Sequence, residues 1–384
     1  PGAFGRDVNV QFADGYGPDG AHDANLLAGA RELAASAAVA VVAIGLPASM
    51  ETEGRDRDHI DLPAAHNELI ESVLAVQPNT VVVLINGSAV AMPWAEQVPA
   101  ILEGWLGGQA GGSALADILT GAVNPSGKLA ETFPVRIEDT PSHLSFPTSG
   151  DGTARYTEGV FSGHRWYDAR RVAPRFPFGH GLSYTSFTYD GIAIDASDFA
   201  EYDALRVDVA VENTGDVAGM DVVQLYIGEC SPRVQRPVRE LKAFRKVDLQ
   251  PGDVEIVQFM LGWRDFAFYD AAAGQWVMDS GEYEIAVGAS SADIRVSARE
   301  HLESSRTAPL TVSVNTPFRV ALDHPVMGPM LQPVVKGMRE YAPSDEAAEM
   351  MMLFMGDMPL RKFTQMGIFT DEQLTGMVAA ANAG

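Results

Sequence analysis

The sequence predicts an α/β domain followed by an all-β domain: a three-layer α/β/α sandwich, then a β-sandwich of the fibronectin type III kind, then a helical C-terminal tail. Three observations carry this. In the first 150 residues, continuous apolar, β-branched runs at 39–44 and 81–85 alternate with helix-period segments, the pattern of parallel strands covered on both faces. From about residue 190 the period falls to two, with turn residues between runs. Beyond about 303 the chain is rich in methionine and returns to a helical period.

Residues 8–12 (VNVQF) alternate like a short first strand, and 24–38 carry Leu26, Leu27, Ala30, Leu33 and Ala34 at helical spacing. The buried strand at 39–44 follows. After Pro63 a helix is expected over about 64–76, then the strand at 81–85, a short strand at 100–102 and a helix over about 113–120. In such a sheet, the loops at the carboxyl ends of the strands form the functional edge. The glycine-rich stretch 104–112 has neither GxGxxG nor GxxxxGK[ST] spacing, so it reads as close backbone packing and not as a phosphate cradle. Domain limits are placed at 1–150 for the α/β domain, 151–189 for an ordered linker, 190–302 for the β-sandwich and 303–384 for the helical extension.

In the β region, 205–211 and 222–227 alternate, and Asn213-Thr214-Gly215-Asp216, Gln250-Pro251-Gly252-Asp253 and Ala273-Gly274-Gln275 mark turns. About seven strands at this spacing make an immunoglobulin-like or fibronectin-type sandwich. In the tail, Ser344-Asp345-Glu346 and Thr370-Asp371-Glu372 are helix starts.

Composition narrows the function. Fifty-one acidic residues against twenty-seven basic ones give a net charge of −24, which repels a phosphate backbone and an anionic membrane surface. Nucleic acid and membrane are therefore not expected partners. The single cysteine, Cys230, rules out an internal disulfide and a cysteine-ligated zinc centre, and is expected to be a small buried or half-buried side chain. Localisation stays open between cytoplasmic and secreted.

Residues 50–59 (METEGRDRDH) place six charged side chains and a histidine directly after the first buried strand. Glu53, followed by Gly54, has the exposure and backbone freedom for proton transfer, and Arg55, Asp56, Arg57 and Asp58 are placed to pair and fix the loop. A metal held by Glu51, Glu53, Asp56 and His59 would be repelled by the neighbouring arginines, so neither metal nor cofactor is expected. Read without further context, the cluster is a solvated, salt-bridged surface loop, and its spacing alone does not change that.

The stretch Glu51-Thr52-Glu53-Gly54-Arg55-Asp56-Arg57, followed by Asp61-Leu62-Pro63, resembles the ExEGxDR…LP signature of glycoside hydrolase family 3, the β-glucosidase family. The likeness continues in order through Met92-Pro93-Trp94, Gly108-Gln109-Ala110-Gly111-Gly112, Asn124-Pro125-Ser126-Gly127-Lys128-Leu129, Thr132-Phe133-Pro134, Tyr156-Thr157-Glu158-Gly159 and Phe178-Gly179-His180-Gly181-Leu182-Ser183-Tyr184-Thr185. His164 and Trp166 depart from the family's GYRYYD pattern. The resemblance implies a retaining β-glycosidase, β-glucosidase-like, acting on terminal β-D-glycosides. It implies that Glu53 is the general acid/base, with Glu51 the runner-up. It also implies that the nucleophilic aspartate belongs to an N-terminal barrel domain that this stretch of chain does not include, so that the isolated chain is inactive. The rival expectation is a non-catalytic carbohydrate-binding or scaffold module. His180, Trp94 and Trp105 are expected to serve packing and not chemistry.

Overall fold

Asp23 opens the first helix by accepting the backbone N–H groups of Asn25 (2.9 Å) and Leu26 (3.2 Å), two donors that a helix start leaves unsatisfied. The computed structural model describes residues 8–54, 56–146, 148, 150, 152–197, 199, 204–271, 273–307 and 311–383. They divide into two units, one running to Phe268 and resuming over Met278–Ser305, the other made of Tyr269–Val277 and Arg306–Gly384.

In the first unit, α1 (Ala24–Ser36) leads to β1 (Ala40–Gly45), α2 (Ala64–Leu74), β2 (Thr80–Ile85), β3 (Ala100–Glu103) and α3 (Gly111–Leu119). The three strands are parallel in the order β1-β2-β3, with Val42 opposite Val82 and Val82 opposite Ile101. Val42, Ile44, Val82 and Leu84 face Ala30 and Ala34 of α1 and Leu69, Ile70 and Val73 of α2, and Trp94 closes this core fully buried. The Trp94 indole N–H donates to Asn67 Oδ1 at 2.9 Å, so its polar tip is satisfied. Two expectations are corrected here. Residues 8–12 form no strand, and β1 is covered on one face only: Val39 and Val41 stand about half exposed because nothing among the described residues packs on that side.

The chain then runs through residues 120–186, which carry a short helix α4 (His164–Arg170) that periodicity does not reveal. Two stretches of this segment pair with one another. Phe133 N–H bonds the Phe176 carbonyl at 2.9 Å, Leu129 N–H bonds that of His180 at 2.8 Å, and Gly179 N–H returns to Leu129 O at 2.8 Å.

The β-sandwich has β4 (Phe187–Asp195), β5 (Ala204–Asn213) and β8 (Val254–Gly262) in one antiparallel sheet, ordered β4-β5-β8. The other holds β6 (Gly219–Glu229), β7 (Glu240–Leu249), β11 (Gly281–Ser290) and β12 (Asp293–Leu302), ordered β12-β11-β6-β7. Leu205, Val207, Val209 and Val211 all point inward and meet Val223, Leu225, Ile227, Ile285 and Val287, the period-two alternation that a half-buried strand requires. A ribbon of β9 (Phe268–Asp270) and β10 (Gln275–Val277) completes the strands. Cys230, expected buried, is exposed, because it follows β6 after the strand has left the core.

The second unit holds the helices Phe318–Leu322, Met327–Tyr341, Asp345–Gly356, Arg361–Gln365 and Asp371–Ala381. Ser344 and Thr370 cap two of them, donors and acceptors pairing reciprocally between Thr370 and Gln373. Its core sets Phe318 against Phe363, with Met327, Met338 and Met355 filling gaps around Leu331 and Leu360.

Among the described residues, a nearly buried ion pair links the α/β domain to the sandwich. Lys128 Nζ sits 2.8 Å from Asp221 and donates to Gly181 O at 2.8 Å, and Tyr189 OH donates to the second Asp221 oxygen at 2.8 Å. Replacing one partner strands the other charge where little water reaches it. Asp221→Ala is expected to lower the unfolding free energy by about 3 kcal/mol, and Lys128→Met/Asp221→Leu to lower it by less than the single change. Urea unfolding of the three proteins measures both.

Candidate active site

Each parallel strand delivers a polar loop at its carboxyl end, and the three loops converge. After β1, the chain turns at Pro47, whose carbonyl accepts the N–H groups of Met50 (2.8 Å) and Glu51 (3.0 Å). Glu51 then reaches across to β2: its Oε1 accepts the Gly87 N–H at 2.8 Å. A Cβ on Gly87 would lie 2.8 Å from that same oxygen, so a larger residue there would push the Glu51 carboxylate aside.

Glu53 behaves differently. It is exposed, and no described residue pairs with it. Gly54 after it takes φ +80°, the left-handed region that favours glycine, with open space where a Cβ would sit. Arg57 does not pair with its acidic neighbours as expected. It turns inward, and Nη2 donates to Ser88 Oγ at 2.5 Å and to Ala89 O at 3.2 Å, while Nη1 is buried with no hydrogen-bond partner among the described residues. Arg55 lies outside the described residues. Among those described, no group of three or more His, Cys, Asp or Glu is arranged to hold a metal ion.

Two further carboxylates join the cluster from far along the chain, and sequence reasoning missed both. Glu103, the last residue of β3, accepts the Trp105 N–H at 2.9 Å and the Asn86 side-chain amide at 3.4 Å. Glu131 accepts the Ala89 N–H at 2.7 Å. Neither stands in a charged run. The only available signal was the position of Glu103 at a strand's carboxyl end, which a short apolar run of uncertain length concealed.

Burial sets the electrostatics. It pushes the Glu103 carboxyl up to about 7; the bonds from Trp105 and Asn86 oppose this, and the charges of Glu131 and Glu51 add to it. Burial raises Glu131 as well, against the Ala89 bond and the Arg57 charge, which lower it. Asn86 is fully buried, and its Oδ1 has no partner among the described residues. The strand ends thus present a carboxyl that gains and loses its proton near neutrality, a carboxylate fixed to the loop after β2, and an exposed carboxylate next to the left-handed Gly54. That combination is suited to proton transfer.

The residues expected to pack do so. Trp94 is core, and Trp105 lies half-buried with its ring edge-on to Phe133 (centroids 5.8 Å apart), although its backbone takes φ +49°. His180 stacks on Phe176 at 5.3 Å.

The folded state holds the Glu103 proton up to about 7, whereas the ordinary value is 4.5. Between those values the folded chain binds more protons than the unfolded one, so unfolding free energy falls as pH rises through the window. Glu103→Gln is expected to remove that component of the slope. A carbon-detected titration of the Glu103 carboxyl should show a midpoint near 7 that moves down in Glu51→Gln and in Glu131→Gln.

Comparison with known proteins adds the following. The model of the glycosyl hydrolase family 3 C-terminal domain matches residues 10–184, and that of the fibronectin type III-like domain matches 221–291. The chain is 42% identical over 386 residues to thermostable beta-glucosidase B of Acetivibrio thermocellus, covering 99% of this chain and 51% of that protein. It is 45% identical over 250 residues to beta-glucosidase BoGH3A of Bacteroides ovatus, covering 64% of this chain and 33% of that one. Among solved structures, the GH3 beta-glucosidase of Bifidobacterium adolescentis superposes with a TM-score of 0.79 at 41% identity over 85% of this chain and 48% of its own. The beta-glucosidase of Kluyveromyces marxianus in complex with glucose gives 0.70 at 40% identity, over 74% of this chain and 33% of its own. The chain therefore spans between about a third and about half of the length of these relatives.

Proposed function

The chain belongs to glycosyl hydrolase family 3, carrying that family's C-terminal domain followed by a fibronectin type III-like domain, and from this premise we propose that it supplies the general acid/base of a retaining β-glucosidase. Glu53 takes that role. The observation that carries the assignment is the division of labour between the two loop glutamates: Glu51 is held by the Gly87 N–H, which leaves Glu53 as the carboxylate able to meet a substrate.

Retaining hydrolysis needs two carboxyl groups ~5–5.5 Å apart, one attacking the anomeric carbon and one protonating the leaving oxygen. The proposal gives this chain the second and leaves the first to a barrel domain of the kind the family carries, docked over the carboxyl ends of β1–β3. Docking would also exclude water from the loop that carries Glu53, which favours proton transfer to the leaving oxygen. The β-glucoside class of substrate follows from the names of the relatives, since each comparison above is with a beta-glucosidase.

A second reading of the acid is favoured by one observation. Glu103 already holds a proton to about 7 without any barrel, the property a general acid requires. In this reading Glu53 steers substrate and Glu103 protonates.

Kinetics on a form of the protein that carries a barrel separates the two. Glu53→Gln is expected to slow aryl β-glucosides with poor leaving groups by about 10²–10⁴-fold while sparing good ones, because the latter need little protonation. Glu51→Gln should reduce all of them evenly. If the leaving-group dependence and the alkaline limb of kcat/KM both vanish in Glu103→Gln instead, the acid is Glu103. The chain as it stands is expected to give no turnover of p-nitrophenyl β-glucoside.

A further inference from the structure

The loop that carries Glu53 is fastened along the segment that follows β2, and the fastenings run in the same order on both sides. Leu46 N–H bonds the Ile85 carbonyl at 3.3 Å, and Glu51 accepts the Gly87 N–H at 2.8 Å. Arg57 donates to Ser88 Oγ at 2.5 Å and to Ala89 O at 3.2 Å, and Ala91 N–H bonds the Ile60 carbonyl at 2.8 Å. The first segment is much the longer, so its surplus has to stand out from the second. The largest share of it falls between Glu51 and Arg57, whose partners Gly87 and Ser88 are neighbours in the chain. Glu53 lies in that surplus.

The point that Arg57 grips is itself fixed. Glu131 accepts the Ala89 N–H at 2.7 Å, the Asn86 side-chain amide donates to Ser88 O at 2.9 Å, and Ala89 is buried. A guanidinium is planar and holds its donors in a rigid fork, so bonds to a hydroxyl and a carbonyl together orient the whole side chain. Glu51 holds the other foot of the turn by one exposed hydrogen bond. With Arg57 removed, the next fastening along the loop among the described residues is that of Ile60, and the span carrying Glu53 lengthens accordingly.

We propose that Arg57 is a positioning residue for Glu53: by closing the turn onto Ser88 and Ala89 it fixes where the Glu53 carboxyl stands, without itself touching substrate. The proposal rests on the reading of Glu53 as the general acid/base. Arg57 moves no proton, and its effect passes through the chain to Glu53. A misplacement of ~1 Å at a reacting group costs about 10²-fold, which sets the size of effect expected. An arginine that only stabilised the fold would affect every substrate alike.

The test uses a form of the protein that carries a barrel and aryl β-glucosides of graded leaving-group pKa. The variants are Arg57→Ala, Arg57→Lys, Glu53→Gln and the double change Arg57→Ala/Glu53→Gln. Arg57→Ala is expected to lower kcat for poor leaving groups by about 10–10²-fold, with good ones spared and KM little changed. Arg57→Lys, which keeps the charge and loses the fork, should recover part of that loss. In the Glu53→Gln background, Arg57→Ala should add nothing, because the group it positions is gone. A second measurement needs no barrel: in the chain as it stands, the ¹⁵N heteronuclear NOE of Thr52, Glu53 and Gly54 should fall in Arg57→Ala and partly return in Arg57→Lys. The proposal is overturned by equal loss across all leaving groups, by an Arg57→Ala effect that persists in full in the Glu53→Gln background, or by unchanged relaxation of residues 52–54. The reading of Glu53 fails separately, when Glu53→Gln alone shows no leaving-group dependence; the positioning of the turn is then decided by the relaxation.

Discussion

The fold of the first unit hangs on the Lys128–Asp221 pair. Its lysine comes from the α/β side, its aspartate from β6 of the sandwich, and its remaining hydrogen-bonding capacity is taken by Gly181 O and Tyr189 OH. A nearly dry ion pair is stable only when its spare lone pairs and protons are satisfied. The surrounding glycines follow from that. A Cβ on Gly181 would collide with Gly127 O, and one on Gly179, at φ +80°, would collide with the Gln224 side chain. Gln224 in turn donates to Gly179 O (3.1 Å) and Ala289 O (2.7 Å) and accepts from Tyr226 OH (2.6 Å). The Phe178-Gly179-His180-Gly181 stretch is therefore a seam between domains, and it holds the ends of the site's loops in register with the sandwich.

The same logic explains why one cluster can contain carboxyl groups with different protonation. The glutamates at these strand ends have different environments: Glu53 is exposed to water, Glu51 is bonded to a backbone N–H, and Glu103 is half-buried near the charges of Glu131 and Glu51. Environment, not residue type, decides which one keeps its proton. Arg57 moderates the group by facing Glu131 while bonded to the loop after β2.

What was legible in the sequence was what local pattern encodes. The strands of the sandwich were readable because Leu205, Val207, Val209 and Val211 alternate without interruption, and the tail helices because Ser344 and Thr370 carry capping chemistry in the chain itself. The Glu51–Glu53 loop stood out by its likeness to the ExEGxDR…LP signature, since its charges alone read as a solvated surface loop. Glu103 and Glu131 were not, since their significance arises only when parallel pairing brings β3 beside β2 and the segment after residue 120 returns to Ala89. The bare face of β1 was misread because a continuous apolar run is the same whether or not a second layer covers it. Cys230 was misjudged for a similar reason, as residue preference is blind to where a strand leaves its core.

Strand β8 forms one edge of the three-stranded sheet, and it carries Val254, Ile256 and Met260 on its outer side, each more than half exposed. An apolar edge with unpaired backbone groups is a template for pairing with another copy. The chain meets that hazard with a net charge of −24, spread over a sequence with almost twice as many acids as bases. Mutual repulsion acts over about a Debye length, ~10 Å at 0.1 M salt, and so keeps two copies apart before their edges can touch. The acidity that says nothing about substrate is thus a colloidal property: it protects an open strand that the fold itself leaves unguarded.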